Sequence, residues 1–584
     1  MDWALFGVVG IATIVAAGAF ANKLGVAAPI LLILIGVGFS FIPGAPTTVP
    51  PEIILAGLLP PILYASAVNV PVVDFRRNFS SIFGLSVLLV LVSAFVTGFL
   101  LFMLFPRLTL AAGIAIGAVI SPTDAVAATA IGKKLGLPPR LVTILEGEGL
   151  VNDATALVLL RSAVAAIAAT VSFWGAIGDF AYAVVIAIVV GLLVGVVTVL
   201  VRSRFRDPIL DTAISFAVPF IAFIPAEVLH GSGVIAVVVA GLYSGHAAAK
   251  RFTPQARISE RLNWRTLQFV LENGVFLLMG LEISKLVGDV QRTAVAGEPG
   301  VLGSVLLALL MTAVLIGLRA IFVPVLLLLI RARVGVAEKQ QSRFRVRIDQ
   351  FITAAAGVAH LERRTRQAEK IYERRENDLE QRKAEEFGWR GATVLSWAGM
   401  RGVVTLAAAQ SLPDDGSVPY RAQLVLIAFT VAIVTLLLQG GTLPLLIRLT
   451  GIPGTDRAAD RRSLANLLDE IGNTGVQVLD NPELTLPDGE KLDSDVVERV
   501  RRDTLISAES AWERAEHGAG VDGLVHSPQR QYRALRREVL QAEREALLEA
   551  RSSGGYPSRI LNRAQAMLDL EETRLEAIDN PSGL

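Results

Sequence analysis

The chain has 584 residues, 53% of them apolar, and its mean hydropathy of +0.56 is too high for an ordinary soluble protein of this length. It contains no cysteine, which excludes disulfides, thiolate metal sites and thiol chemistry. A formal net charge of +1 argues against a nucleic-acid partner. The composition therefore predicts a polytopic membrane protein surrounded by lipid.

Thirteen segments are apolar enough to cross a membrane as helices, for which roughly 20 mainly apolar residues are needed. The first is interpreted as a membrane helix and not a removed signal, because neither a basic n-region nor a small-residue cleavage site accompanies it. In chain order the predicted spans are 3–21, 26–43, 51–69, 81–104, 109–132, 141–168, 176–201, 208–224, 234–249, 266–284, 301–330, 391–413 and 422–447.

These spans divide the chain into four regions. We predict eleven transmembrane helices in 1–330, a charged helical insert in 331–390, two more transmembrane helices in 391–449 and a helical tail in 450–584. The tail stretch QYRALRREVLQAEREALLEARS has the i, i+4 charge pattern and the apolar stripe of a packed helix. The insert and the tail are each compatible with a solvated scaffold, an assembly surface or a sensor.

The loops between the spans alternate between basic and nearly base-free. The loop after Glu282, with Lys285 and Arg292, is the exception. Because Lys and Arg accumulate in cytoplasmic loops, the N-terminus is expected outside and the C-terminus in the cytoplasm, with the chain in the inner (cell) membrane. An odd number of spans agrees with this orientation. The basic loops carry Lys23, Arg76, Arg77, Lys133, Lys134, Arg140, Arg202, Arg204, Arg206, Lys250, Arg251, Arg257, Arg261 and Arg265.

Two spans carry signals that interrupt a helix. In the fifth span, the sequence Ser-Pro-Thr-Asp places Pro122 at mid-membrane, where it removes a backbone hydrogen bond and frees a carbonyl. In the twelfth, Gly399 and Gly402 flank Met400 and Arg401. Broken helices at matching places in two halves are typical of the binding site of a secondary transporter. The spacing suits two inverted repeats of about six helices each, plus one extra helix.

The sixth span carries acids that a membrane helix rarely keeps without a function, since a charge at this depth costs at least a few kcal/mol. Asp153 lies at its midpoint. Glu148 and Asn152 share one face at i, i+4, whereas Asp153 is turned roughly 140° from Glu148. One acid can therefore face a basic partner while the other faces a cavity.

Four ionisable residues on four spans share one depth, namely Asp124, Asp153, Arg319 and Arg401. Because buried charges are expected to pair, Glu148 needs a cation, and either arginine is a candidate. Burial disfavours the charged form of Asp153, so that a proton and a small cation can compete for it. Asp124, the Thr123 hydroxyl and the freed carbonyls would supply further oxygen ligands. The alternative is that these charges only tie helices together.

Four motifs resemble those of the monovalent cation/proton antiporter family, the sodium/proton exchangers, and in particular its longer bacterial members. They are SPTDAVA (Ser121–Ala127), LEGEGLVNDATALV (Leu145–Val158), LENGVFLLMGLE (Leu271–Glu282) and GMRGVVTLA (Gly399–Ala407). The resemblance covers essentially the whole chain. It implies an all-α membrane fold with two broken, crossing helices, a homodimer, an elevator-like motion and no cofactor beyond the transported ions.

The resemblance also implies a role for each matching residue. Asp153 binds the cation or the proton, Asn152 orders the site, and Thr123 and Asp124 are ligands of the Na+ on the crossed helix. The Asn-Asp pair goes with electroneutral one-for-one exchange. The remaining assignments are a buried ion pair between Glu148 and Arg319, and Arg401 as the charge on the second broken helix.

One position departs from the family pattern. Most members have a serine at the position of Gly149, and that hydroxyl lies near the cation site. Its absence bears on the number of ligands and on the ion preference. From the resemblance as a whole we predict exchange of Na+ or Li+ for H+, with K+/H+ exchange by the same mechanism as the alternative.

Other functional classes find less support in the sequence. It has no phosphate-binding GxxxxGK[ST] run, no HExxH and no GxSxG, so we predict that the protein is not an enzyme. A passive cation channel would need a filter ring or a pore loop, and neither is recognisable. A transporter-like sensor that signals through its tail is a third possibility.

Overall fold

The computed structural model describes residues 2–24, 27–42, 50–168, 173–205, 207–293, 298–355, 388–452, 457–481, 494–502 and 528–553, with isolated residues beside these ranges. These residues form helices joined by turns, and the described part contains no β-strand. The chain divides into two compact units, 1–454 and 455–584. The four-region division predicted from the sequence stays a prediction.

Eighteen α-helices of the first unit are described. They are α1 (Asp2–Leu24), α2 (Ala28–Phe39), α3 (Leu59–Asn69), α4 (Val72–Arg77), α5 (Phe79–Phe83), α6 (Val90–Leu104), α7 (Leu110–Ile120), α8 (Ala125–Leu135), α9 (Pro139–Ala168), α10 (Phe173–Arg202), α11 (Pro208–Val228), α12 (Gly233–Arg251), α13 (Pro254–Thr293), α14 (Val301–Ala355), α15 (Trp389–Trp397), α16 (Val403–Gln410), α17 (Arg421–Thr435) and α18 (Gly441–Thr450). Short π-helical segments precede α3, α6 and α18 at Ile53–Leu58, Gly84–Leu89 and Leu436–Gly440.

Seven of the described helices are long and apolar enough to cross a membrane, and four shorter ones are apolar. The predicted spans fall on these helices, apart from the tenth, which lies inside the 40-residue α13, and the twelfth, which covers α15 and α16. The described part of the chain therefore confirms the predicted all-helical, multi-pass character. The count of thirteen spans and the inverted repeats stay predictions.

Both predicted interruptions occur. The fifth predicted span is divided into α7 and α8 at Ser121–Asp124, and the twelfth into α15 and α16 at Ala398–Gly402. The eleventh predicted span and the start of the predicted helical insert lie on one continuous 55-residue helix, α14, which ends at Ala355. Most of the predicted insert beyond Ala355 lies outside the described residues.

The helices of the first unit pack into two bundles. The broken-helix bundle contains α5–α9 and α14–α18, and the flanking bundle contains α1–α3 and α10–α13. Close approach within the flanking bundle depends on small residues. A Cβ on Gly36 of α2 would collide with the backbone of α13 at Leu277 and Gly280. The two bundles meet chiefly through α9, α13 and α17.

The second unit is also helical in its described part, with α19 (Arg457–Leu479), α20 (Pro528–Ser553) and a helical stretch at 494–502. The helix predicted at 531–552 lies within α20. Its Arg536 pairs with Glu571 at 2.7 Å, and its Arg544 pairs with Glu572 at 2.7 Å.

Candidate functional site

The two interrupted helices contact each other at their interruptions. The Asp124 backbone N–H donates to the carbonyl of Met400 at 2.6 Å. A Cβ on Gly402 would collide with the carboxylate of Asp124, so the absence of a side chain there permits the crossing. The Arg401 backbone N–H donates to Thr435 Oγ1 of α17 at 3.1 Å, which anchors the second interruption from behind.

Asp124 lies where two helices begin. Its Oδ1 accepts a hydrogen bond from the Val126 N–H at 2.8 Å, which makes it the N-cap of α8. Its other carboxylate oxygen lies against Gly402, the N-cap residue of α16. Helix N-termini carry partial positive charge and favour an anion. The crossing therefore stabilises a carboxylate at this position without a basic side chain.

The opposite helix ends meet arginines. Arg401 donates from Nε to the carbonyl of Ile120, at the end of α7, over 3.2 Å, and from Nη1 to the carbonyl of Gly399 over 2.5 Å. Arg319 donates from Nε to the carbonyl of Leu395, in the last turn of α15, over 3.1 Å. Both arginines are buried, and cations are favoured at helix C-termini. The four half-helices thus have complementary charges at their inner ends.

A buried polar network links α14, α9 and the first interruption. The Arg319 guanidinium donates to both oxygens of the Glu148 carboxylate, with 2.8 Å between Nη2 and Oε2. Thr123 Oγ1 donates to Glu148 Oε1 at 2.6 Å. Of the two candidate partners of Glu148, the structure therefore pairs it with Arg319. Arg401 instead binds backbone carbonyls.

Asn152 completes this network and is held in one orientation. Its Nδ2 donates to the Thr123 carbonyl at 2.7 Å and to Thr123 Oγ1 at 2.9 Å. Since that carbonyl can only accept, the amide nitrogen and oxygen cannot be exchanged. The Oδ1 of Asn152, a residue with 0% exposure, then has no hydrogen-bond partner among the described residues. A buried acceptor left in this way costs about 1–3 kcal/mol, so the site has an oxygen available to a ligand or water.

Asp153 follows Asn152 and is half-buried. Within the described part of the chain, its carboxylate has neither a hydrogen bond nor an ion pair. The carboxylate of Asp124 is close enough for the two negative charges to repel each other. The structure therefore brings together two acids without an adjacent base, next to the fixed amide of Asn152. Such a site favours the binding of a cation or a proton.

Thr123 occupies a different position in the site from Asp153. Its hydroxyl donates its hydrogen to Glu148 and accepts from Asn152. Thr123 thus connects the Glu148–Arg319 pair to Asn152. Its assignment as a cation ligand stays a prediction.

Gly149 has a packing role that its neighbours explain. A Cβ at this position would lie 2.8 Å from the Cβ of Ala125, the first residue of α8. Real Cβ atoms do not approach this closely, so a serine would require α8 or α9 to shift. Gly149 therefore lets α9 lie closer to the first interruption than a serine would.

Thr435 was not identified from the sequence. It supports the Arg401 backbone and immediately precedes the π-helical segment Leu436–Gly440. π-helical segments are frequent at functional sites, but the apolar run VAIVTLLLQG carries no sign of one. A lone threonine within such a run is the only available signal.

The sequence is similar to a known family and to several of its named members. Residues 9–449 match the family model described as sodium/hydrogen exchanger, transmembrane. A Na(+)/H(+) exchanger of Mycobacterium bovis is 29% identical over 98% of this chain and 97% of its own length. The Na(+)/H(+) antiporter ApNhaP of Aphanothece halophytica is 27% identical over 75% of this chain and 72% of its own.

The fold is similar to that of a solved structure. The sodium proton antiporter MjNhaP1 of Methanocaldococcus jannaschii superposes with a TM-score of 0.54 at 17% sequence identity. The match covers 77% of this chain and 100% of that structure. At this level of identity the similarity concerns the fold alone.

Proposed function

Because the chain belongs to the sodium/hydrogen exchanger family, a family of secondary transporters and not of enzymes, we propose that it exchanges Na+ or Li+ for H+ across the membrane. Cation/proton antiport is what the family and the named antiporter relatives support. The finer assignment depends on one observation. Asp153 has no basic partner among the described residues, interacts electrostatically with Asp124, and follows Asn152, whose Oδ1 has no hydrogen-bond partner.

In the proposed cycle, Asp153 binds either one cation or one proton. Its charge is compensated in both cases by a single positive charge, and the neighbouring Asn152 is neutral. One cation therefore exchanges for one proton, and transport is electroneutral. Asp124, the Asn152 amide and backbone carbonyls freed by the interruptions supply oxygen atoms, and the transported ions are the only non-protein groups required.

The Glu148–Arg319 pair holds the site without taking part in the exchange. Because Arg319 and Thr123 both donate to Glu148, that carboxylate already has its partners. Asp153 is then the acid that remains available for exchange. Arg401 compensates the carbonyl ends of the second broken helix.

Alternating access requires the site to face each side of the membrane in turn. The proposed moving parts are the broken-helix bundle and the flanking bundle, in an elevator-like motion within a homodimer. The proposed orientation in the inner membrane has the N-terminus outside and the tail in the cytoplasm. This orientation rests on the distribution of Lys and Arg between the loops.

K+/H+ exchange is the second candidate, and two observations favour it. A Bacillus subtilis relative, 26% identical over 74% of this chain, is described as a sodium, potassium, lithium and rubidium/H(+) antiporter. In addition, Gly149 removes one hydroxyl from the neighbourhood of the site. Fewer fixed ligands would weaken the preference for a small ion.

Proton flux in proteoliposomes containing a pH dye tests the proposal. Na+, K+ and Li+ are added separately to the wild type, to Asp153→Asn and to Glu146→Gln. We expect Na+ or Li+ to evoke proton movement in the wild type and none in Asp153→Asn. Glu146 is the matched control on the same helix, since its carboxylate is partly exposed and pairs with Lys133 at 2.6 Å. Its loss should change the rate by no more than about twofold.

The outcomes separate the candidates. A response to K+ alone would assign K+/H+ exchange through the same carboxylate. Full exchange in folded Asp153→Asn would overturn the assignment of Asp153. Cation flux without proton movement would favour a channel.

A further inference from the structure

One face of α13 points toward the second broken helix. Val275 of α13 packs against Ile54 and against Ala407 of α16, and we call these three residues the apolar barrier. Residues three, four and seven apart lie on one side of a helix. Glu272 and Glu282, at positions −3 and +7 from Val275, therefore share its face.

The contacts on either side of the apolar barrier fix the direction of this face. Glu282 Oε2 accepts a hydrogen bond from Nε2 of Gln410, the last residue of α16, at 2.5 Å. These two contacts show that α13 and α16 run in the same direction here. Glu272, which precedes Val275 on α13, therefore lies toward the N-terminus of α16. That N-terminus, at Gly402, touches the carboxylate of Asp124.

This register places Glu272 beside the candidate site, across the gap between the bundles. An electrostatic interaction between the carboxylates of Glu272 and Asp124 agrees with this register. Glu272 is half-buried, and its Oε1 accepts from Gln268 Nε2 at 2.7 Å. Gln268 also donates to Ser66 of α3 at 3.0 Å. No Lys or Arg of the described residues pairs with Glu272.

Three acids without a basic partner in the described structure therefore belong to this region: Asp124 and Asp153 on the broken-helix bundle and Glu272 on the flanking bundle. No three acidic side chains in the described ranges are close enough to hold one ion together. Asp124, Asp153 and Glu272 therefore do not form one three-acid ion site. At an effective dielectric constant of about 20, a unit charge roughly 10 Å away changes ion binding by about tenfold.

We propose that Glu272 is a third acid of the cation pathway, which draws the cation to Asp153 from the Lys/Arg-rich side of the membrane. The proposal rests on the antiport function proposed above. In this role Glu272 is a positioning residue on the flanking bundle, and it remains there while the broken-helix bundle moves. The apolar barrier separates Glu272 from Glu282, which lies toward the opposite side of the membrane.

Sided kinetics of the full-length chain test this role. Everted membrane vesicles expose the predicted cytoplasmic face, and Na+ (or K+, where the wild type prefers it) is titrated while proton movement is recorded. For Glu272→Gln we expect KM for the cation to rise about tenfold, with the maximal rate nearly unchanged. Glu272→Asp keeps the charge and should retain a KM close to that of the wild type.

The matched control is Glu282→Gln, which removes an acid from the same face of α13 beyond the apolar barrier. Its KM at this face should equal that of the wild type. Size-exclusion profiles report folding for each variant. If Glu272→Gln folds poorly, Glu272→Asp and Glu272→Ala still separate the effect of charge from that of packing.

The possible failures are distinguishable. A wild type without cation-evoked proton flux, with verified reconstitution, would overturn the antiport function and this inference with it. An active wild type whose KM is unchanged in folded Glu272→Gln would overturn the role of Glu272 alone. That role would also be overturned if Glu272→Asp raises KM as much as Glu272→Gln, because the effect would then not be electrostatic.

Discussion

Thr123 connects two parts of the candidate site through a single hydroxyl. That hydroxyl gives one hydrogen bond to Glu148 and receives one from Asn152. Its removal would leave Glu148 with one donor fewer and would loosen the amide that precedes Asp153. The orientation of Asn152 thus depends on a residue in the first interruption, 29 positions earlier in the chain.

Thr123→Val should therefore lower the free energy of unfolding by about 1–3 kcal/mol, because buried polar groups lose their partner while the side-chain shape is kept. Thermal unfolding in detergent measures this. Thr129→Val is the matched control, since the Thr129 hydroxyl bonds only to the carbonyl of Val126 within its own helix. Equal melting temperatures for the two variants would contradict the connecting role of Thr123.

The residue pattern alone left the partner of Glu148 open, and only the family resemblance implied Arg319, with which the structure pairs it. The mid-membrane position of Asp153 and the i, i+4 relation of Glu148 and Asn152 are local properties of a helix. The choice between Arg319 and Arg401 as the partner of Glu148 is not a local property. It depends on which helix carbonyls each guanidinium meets after the helices cross. Nor could the sequence predict that the Asn152 Oδ1 lacks a partner, because this follows from the hydrogen bonds that the amide nitrogen makes to Thr123.

Among the helices, the two interruptions were the most predictable feature. Pro122 and the pair Gly399 and Gly402 break helical periodicity by local chemistry, and both breaks occur where these residues lie. The segment after 330 was predicted to be helical, and the structure adds that it continues the helix of the eleventh span without a break as far as Ala355. In that segment the sequence shows polarity, whereas a helix end needs a cap or a breaker.

The crossing of the interruptions depends on Gly402. In Gly402→Ala the added methyl would collide with the Asp124 carboxylate, so either the crossing opens or Asp124 moves. Because shifts of about 1 Å in a functional group can lower a rate by orders of magnitude, we expect exchange to fall on the order of tenfold or more. Proton flux in proteoliposomes measures it.

Gly317→Ala on α14 is the control, because a methyl there meets no neighbouring atom within 4 Å. It should exchange normally. Wild-type flux in Gly402→Ala would show that the two broken helices need not touch as they do in this structure.

On the scale of the whole molecule, the flanking bundle is tied together by a buried charge cluster. Arg202, at the end of α10, donates to both oxygens of Asp211 at 2.8 and 2.9 Å and lies 2.9 Å from Glu260 Oε1. Its guanidinium also lies over the ring of Phe252, 4.3 Å from the centroid. In the sequence Arg202 looked like an ordinary basic loop residue, because its two acidic partners lie on other helices.

Arg202→Met should destabilise the protein by about 3–5 kcal/mol, because it leaves two buried carboxylates without their cation. Folded yield after solubilisation measures the loss. Arg204→Met, at an exposed neighbouring position, should have no such effect. Adding Asp211→Asn and Glu260→Gln to Arg202→Met should restore much of the yield, and failure of this restoration would argue against a charge-based cause.

The unbroken course of α14 has a mechanical consequence. The helix carries Arg319 within the buried network and ends at Ala355, 36 residues further on, or about 54 Å at 1.5 Å per residue. Because the helix is continuous between them, a displacement of its charged end can be transmitted to the ion pair at Arg319. Over this length, a sideways shift of several ångströms at the charged end corresponds to a tilt of the helix axis by a few degrees.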